Sequence, residues 1–276
     1  MARVVAAVAG AGVIALVDDA GIAYDDVGSG LPVVFLHAFP LNRTMWDPQV
    51  GALVAECRCI PIDMRGLGDS AAAPPYSMDR YADDVAGVLD VLQIERAVVC
   101  GISMGGYVAF AFWRRHRDRV RGLVLADTRI GNDTIDNVAR RRELIEMAES
   151  QGSTAVANAQ IAGLMGKTTR ARRPDIYDAV HRMIAQAPTD GIVGALEAMI
   201  ERPDSTETCA TIDVPTLVVV GDEDVVTPPK EARRACEAIA GSRLEVLAQA
   251  GHLSSIERPA AFNTVVSEFL ASLLYN

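Results

Sequence analysis

One stretch constrains this chain more than any other: Val98-Val99-Cys100-Gly101-Ile102-Ser103-Met104-Gly105-Gly106. An apolar run enters Gly-x-Ser-x-Gly and leaves as Tyr107-Val108-Ala109-Phe110-Ala111-Phe112-Trp113, a pattern that can be helical. A strand that turns at once into a helix through a serine between glycines has the form of a nucleophile elbow. The serine in such a turn takes a strained backbone conformation that presents its hydroxyl, and side chains beside it would meet neighbouring backbone. Gly101 and Gly105 remove those clashes. The pattern alone is weak, because glycine and serine are common in ordinary turns. Residues elsewhere must supply the rest of a site.

The surrounding text alternates between strand and helix. Val13–Val17 and Ile22–Val27 read as an antiparallel opening hairpin. Pro32–Leu36 is a continuous apolar run of the kind that forms a strand covered on both faces, and it ends in His37-Ala38-Phe39-Pro40. A helix around Met45–Val54, a strand at Cys57–Ile62 and the glycine-rich loop Asp63–Ser70 follow. Asp79–Leu92 is an amphipathic helix with Tyr81, Val85, Val88, Leu89 and Leu92 at helical spacing. The elbow strand Ala97–Cys100, the elbow helix Met104–Arg115 and the strand Val120–Ala126 complete this half. Residues 130–209 then read as helix throughout, with breaks at Gly163–Thr169, Arg173-Pro174 and Arg202-Pro203. Alternation resumes with strand Thr216–Gly221, helix Pro229–Ile239, strand Ser242–Leu247 and helix Pro259–Leu274. The expected class is α/β: a mostly parallel, eight-stranded sheet flanked by helices. Residues 1–129 and 210–276 form its core domain, and residues 130–209 a helical cap inserted into it.

Composition narrows the function. Half of the 276 residues are hydrophobic, enough for one large core carrying an insertion. A net charge of −10 argues against nucleic-acid binding. The basic clusters Arg114–Arg117, Arg140–Arg142 and Arg170–Arg173 lie on or beside expected helices and read as solvated faces. The five cysteines have no metal-ligand spacing and read as buried free thiols in a reducing, cytoplasmic compartment. Met1-Ala2-Arg3 precedes a small-residue apolar stretch from Val4 to Val17 that faintly resembles an export signal, but only one positive charge precedes it and its second half reads as a strand. No segment approaches the length of a transmembrane helix, so no membrane partner is expected. No metal or cofactor is called for.

In an open α/β sheet, working residues collect at the carboxyl ends of the strands. Here Ser103 follows the elbow strand, and Asp222 and Asp224 follow Thr216–Gly221. His252 follows the last strand, and His37 and Phe39 follow Pro32–Leu36. A serine hydroxyl is a poor nucleophile near neutral pH and needs a base, and the base needs an orienting group. Ser, then Asp, then His supplies all three in chain order. Either aspartate of the Gly221-Asp222-Glu223-Asp224 loop qualifies, and Asp127, after Leu123–Ala126, is a rival from the neighbouring strand. The bland alternative for each is a turn-stabilising carboxylate. His37 reads as ordering its loop, Arg65 and Asp69 as turn partners, and His116 and His181 as solvated. Phe39, Trp46, Met104 and Met165 are pocket or core residues.

These residues together resemble the α/β-hydrolase family over nearly the whole chain. The matching segments are His37–Pro40, Asp63–Ser70, Gly101–Gly106, Gly221–Pro228 and Gly251-His252 through Pro259. Within the family the chain is most similar to 3-oxoadipate enol-lactonases, small carboxylesterases and cofactor-free perhydrolases. The resemblance implies a catalytic triad of Ser103, Asp224 and His252, with Asp224 chosen as the second aspartate of its loop. It also implies an oxyanion hole from the backbone N–H groups of Phe39 and Met104. The implied activity is hydrolysis of a small ester or lactone through an acyl-enzyme. The alternatives are perhydrolase or haloperoxidase-type acyl transfer to peroxide, and a low-turnover ligand-binding protein that keeps the fold. Ala38 stands where the family usually has glycine and Leu67 where it often has histidine, and the first of these bears on the oxyanion loop.

Overall fold

The structure is a computed structural model and describes residues 3–7 and 13–274. Of the apolar stretch near the N-terminus, residues 8–12 lie outside the described residues. The described chain opens with strands β1 (Arg3–Ala7), β2 (Val13–Val17), β3 (Ala20–Tyr24), β4 (Val27–Gly28) and β5 (Leu31–Leu36). Helix α1 (Asp47–Leu53), strand β6 (Cys57–Ile62), helix α2 (Met78–Val91), strand β7 (Ala97–Ile102), helix α3 (Met104–His116) and strand β8 (Val120–Ala126) follow. Six helices come next: α4 (Ile135–Gln151), α5 (Ser153–Leu164), α6 (Lys167–Arg172), α7 (Pro174–Ala185), α8 (Thr189–Glu201) and α9 (Thr206–Ala210). The chain closes through strand β9 (Thr216–Gly221), helix α10 (Pro229–Ala238), strand β10 (Arg243–Leu247), and helices α11 (Ser254–Glu257) and α12 (Pro259–Ser272).

The strands form one sheet in the order β1-β2-β3-β6-β5-β7-β8-β9-β10, with β4 pairing β6. Every pairing from β6 to β10 along that order is parallel, whereas β1, β2, β3 and β4 pair antiparallel. The eight expected strands are all present, and two are added. β1 extends the edge beyond β2, and the second half of the expected strand Ile22–Val27 separates as the two-residue β4. All residues of β7 and β9 are buried, which is why those segments read as unbroken apolar runs rather than alternating ones.

Register sets where the strands end. Leu36 of β5 pairs with Gly101 of β7, Ile102 with Ala126 of β8, and Gly221 of β9 with Leu247 of β10. The loops that leave β5, β7, β8, β9 and β10 therefore meet at one edge of the sheet. The six helices between β8 and β9 pack among themselves, α5 on α7 and α4 on α8, and contain no strand among the described residues. The expected breaks near Gly163–Thr169, at Pro174 and at Arg202 coincide with helix ends, but a further break at Gly152 was not anticipated. There the backbone takes φ +79°, a conformation glycine adopts without penalty.

Four of the five free cysteines are buried and Cys236 is half-buried. Burial pushes the thiols of Cys59 and Cys209 up to about 12, which suppresses the reactive thiolate. The basic run on α3 is less solvated than its sequence suggests. Arg115 forms a forked pair with Asp83 of α2, and His116 Nε2 lies 2.8 Å from the same carboxylate. Among the described residues, no helix is long and apolar enough to cross a membrane.

Backbone segments approach very closely at the elbow. A Cβ on Gly105 would sit 2.1 Å from the Leu36 carbonyl oxygen, and one on Gly101 would sit 2.2 Å from the Gly105 carbonyl oxygen. Both obstacles are backbone, so neither can swing aside. Gly105→Ala is accordingly expected to cost about 1–3 kcal/mol or more, as overpacking does. That corresponds to about 2–4 °C of melting temperature per kcal/mol in a domain of roughly this size. Thermal unfolding followed by circular dichroism checks it, and an unchanged midpoint would refute the packing argument.

Candidate active site

Ser103 sits between β7 and α3 with φ 54° and ψ −114°, a strained conformation for any residue with a side chain. Its N–H donates to the Ala126 carbonyl of β8, and its own carbonyl accepts from Thr128 Oγ1 at 2.9 Å. Gly106 has no side chain because a Cβ there would meet that same Thr128 hydroxyl at 2.5 Å. The turn is thus clamped by the end of β8 and the residues just beyond it, and the serine hydroxyl is left lining the cavity.

His252 leaves β10 through the turn Gln249-Ala250-Gly251 and is 1 % exposed. Its Nε2 lies 2.7 Å from Ser103 Oγ and its Nδ1 lies 2.8 Å from Asp224 Oδ2. An ionised carboxylate can only accept, so the Nδ1 proton points at Asp224 and the Nε2 lone pair at the serine hydroxyl. Asp224 is 3 % exposed and accepts three more hydrogen bonds: from the N–H groups of Val226 and Thr227, at 2.8 and 2.9 Å, and from Thr227 Oγ1 at 2.6 Å. This is an unbroken path from a hydroxyl, through an imidazole, to a fixed carboxylate. It can take a proton from Ser103 and stabilise the resulting imidazolium.

The three aspartates named from sequence separate cleanly. Asp222 is exposed, and its Oδ1 accepts from the Gln249 N–H at 2.7 Å. It therefore braces the turn that leads to His252 rather than its own turn. Asp127 is fully buried with φ 42°, and bonds Gly221 N–H at 2.9 Å, Ser254 N–H at 3.2 Å and the Ser254 hydroxyl. It ties the end of β9 to the segment just after His252 without bonding the imidazole. Burial, with the Asp224 charge behind it, pushes the Asp127 carboxyl well above the usual carboxylate range. Burial also acts to raise Asp224, but the His252 charge and hydrogen bond and the Thr227 hydrogen bonds outweigh it and hold this carboxyl below its ordinary value. Of two neighbouring carboxyls, Asp224 is the one that keeps its charge.

Phe39 lines a cavity of about 530 Å³ together with Ser103, Tyr107 and His252. Met104 opens α3, so its N–H belongs to the first turn, whose donors have no intrahelical partner. Its side chain, with Trp46 and Met165, is buried in the core rather than lining the cavity. His37 is fully buried; the Met64 N–H donates to its Nε2, and its Nδ1 donates to the Ala38 carbonyl. Burial lowers its proton affinity, so it acts as a neutral brace between the two loops. Arg65 grips Asp84 of α2 with two hydrogen bonds, and Asp69 pairs with Arg43 at 2.8 Å. His181 Nε2 lies 2.8 Å from Asn158 Oδ1.

Two residues escaped the sequence reading. Thr227 fixes the Asp224 carboxylate, and its hydroxyl lies 3.2 Å from His252 Nδ1. Glu257, 3 % exposed, accepts from the N–H groups of Gly166, Gly251 and Leu253 at 2.9, 3.0 and 3.2 Å. With the His252 N–H donating to the Leu164 carbonyl, Glu257 fastens the α5–α6 junction to the histidine turn. A glutamate at the end of a four-residue helix carries no sequence signal for such a role.

Comparison with known proteins gives a consistent picture. A family model described as alpha/beta hydrolase fold matches residues 32–259. The 3-oxoadipate enol-lactonase 2 of Acinetobacter baylyi is 31% identical over 235 residues, covering 85% of this chain and 86% of that one. Among solved structures, a thermophilic esterase from Thermogutta terrifontis aligns with a TM-score of 0.90 at 39% identity, covering 92% of this chain and 94% of that one. The enol-lactonase from Burkholderia xenovorans LB400 aligns with a TM-score of 0.88 at 30% identity, covering 94% and 99%.

The environment of His252 makes a measurable prediction. Burial alone would lower its proton affinity, but the Asp224 charge and hydrogen bond raise it above the ordinary value. The imidazole should therefore titrate above about 6.5 by NMR. In Asp224→Asn burial acts unopposed and the midpoint should fall below that value, whereas Asp222→Asn should leave it in place. A midpoint unaffected by Asp224→Asn would contradict the assigned environment.

Proposed function

Because the chain belongs to the α/β-hydrolase family, we propose that it is a serine hydrolase of small carboxylic esters or lactones, with Ser103 as nucleophile, His252 as base and Asp224 as orienting acid. One observation carries the reading: the serine, imidazole and carboxylate are joined by hydrogen bonds of 2.7 and 2.8 Å at the carboxyl edge of the sheet. Ser103 Oγ attacks the carbonyl carbon while His252 takes the hydroxyl proton, and Asp224 stabilises the imidazolium. The backbone N–H groups of Met104 and Phe39 hold the oxyanion, the first with the added benefit of a helix N-terminus. His252 returns the proton to the departing alkoxide, then activates water that releases the acid from Ser103. The relatives named enol-lactonase and esterase support the ester or lactone class. The cavity volume of about 530 Å³ suits a small molecule. Residues 130–209 serve as the cap over this cavity, for which α4, α5 and α8 supply Arg140, Gln160 and Met199.

Ser103→Ala is expected to lower turnover of p-nitrophenyl acetate by on the order of 10⁴–10⁶-fold while leaving the circular dichroism spectrum intact. An organophosphonate should label the native protein at Ser103 and leave the variant unmodified. Native-like turnover by the variant would end the nucleophile assignment. Asp224→Asn should reduce kcat by about 10⁴-fold, through loss of the correct tautomer. Asp222→Asn should be far milder, because its carboxylate touches only the Gln249 amide. Equal losses would mean that the acid is another residue.

A further inference from the structure

A second cavity, of about 410 Å³, shares no lining residue with the one beside Ser103. It lies where helix α6 meets the junction of α11 and α12. Three arginines line it: Arg172 at the end of α6, Arg173 just after it, and Arg258 at the junction. Arg173 is engaged in a forked pair with Asp175, at 3.0 and 2.7 Å. Arg258 Nη1 donates to the Gln249 side-chain oxygen at 3.0 Å, a neutral partner. Among the described residues no carboxylate pairs with Arg172 or Arg258. Glu257 is the one carboxylate among the described lining residues, and three backbone N–H groups already hold its oxygens. The cavity wall therefore keeps positive charge in a protein of net charge −10.

Neutral donors line the same space. Thr169 of α6 is 3 % exposed and lines the cavity, yet its hydroxyl bonds no protein group among the described residues. A buried hydroxyl left unpaired costs free energy that a bound acceptor recovers. The neighbouring Thr168 hydroxyl, by contrast, is taken by Glu223. Helix α12 runs for 14 residues from Pro259, and no side chain caps its start. Pro259 lacks an N–H, so Ala260 and Ala261, which also line the cavity, supply the donors of the first turn. The dipole of such a helix favours an anion there.

We propose that this cavity binds a phosphate group, as inorganic phosphate or a small phosphomonoester, between Arg172 and Arg258 and over the start of α12, with Thr169 as a neutral donor. Guanidinium, hydroxyl and backbone donors arriving from two separate elements suit the several oxygens of a tetrahedral anion better than one planar carboxylate. Thr169 and Arg172 belong to the helices between β8 and β9, whereas Arg258 and α12 belong to the chain that follows His252. The bound group joins the two across Glu257, which holds the Gly251 and Leu253 N–H groups on either side of His252. No covalent bond is made or broken, and the site is independent of the chemistry at Ser103.

Inorganic phosphate and glycerol 3-phosphate, each titrated against sodium chloride at matched ionic strength, test the site. At least one should raise the melting temperature saturably, by about 2–4 °C at tenfold over its Kd. It should also shift the amide NMR signals of residues 168–173 and 258–261. Arg172→Gln, at an exposed position, should weaken binding by about tenfold, and Arg258→Gln should do the same. Tighter binding of glycerol 3-phosphate identifies a monoester as the ligand, and equal or weaker binding identifies inorganic phosphate. No saturable response to either anion would overturn the proposal. That outcome includes a linear rise shared by the native protein and both variants, which is the general effect of an excluded salt. Amide shifts confined to the cavity beside Ser103, or binding that both substitutions leave intact, would overturn it equally.

Discussion

The close approach of three backbone segments at the elbow is the constraint on which the rest depends. Gly101, Gly105 and Leu36 lie so near one another that no Cβ fits between them. That contact lets β7 turn into α3 without an intervening loop, and it forces Ser103 into φ 54°. A non-glycine residue in such a conformation costs on the order of 1–3 kcal/mol. The surrounding hydrogen bonds, from Ser103 N–H to Ala126 and from Thr128 to the Ser103 carbonyl, hold the strained geometry in place. The hydroxyl position is thereby a property of the sheet rather than of a flexible loop, and a nucleophile needs that fixity.

A second layer of organisation is electrostatic. Two buried carboxyls, Asp127 and Asp224, lie close enough for the charge of one to disfavour ionisation of the other. The division between them follows from their donors. Asp224 has the imidazole and the Thr227 hydroxyl and keeps its charge, while Asp127 bonds Gly221 and Ser254 and is driven toward the neutral form. The sheet edge thus spends one aspartate on charge and another on joining the ends of β8, β9 and the segment after β10.

The helices between β8 and β9 are fastened to this edge at the points that matter. Glu257 bonds both Gly166 and Gly251, and Glu223 accepts from the Thr168 N–H at 2.8 Å as well as from its hydroxyl. Both glutamates flank the acid and histidine loops in sequence. Helix α4 of the same group carries Arg140 and Arg141, which line the cavity.

The sequence by itself determined the alternation of strands and helices and the elbow, and it singled out Ser103 and His252 as candidates. Apolar runs, turn glycines and the alternation of periods are local properties of the chain, and they set those features directly. It also narrowed the acid to three aspartates, and resemblance to a family favoured Asp224. What only the tertiary structure decided was which of these carboxylates meets His252, because parallel register brings β9 beside β10 and only the Asp224 side chain reaches across the gap. Thr227, Glu257 and the lining of the cavity by Arg129 and Arg140 were likewise invisible in the text. Each acts on residues distant in sequence or through the direction of a side chain, and neither property has a one-dimensional signature.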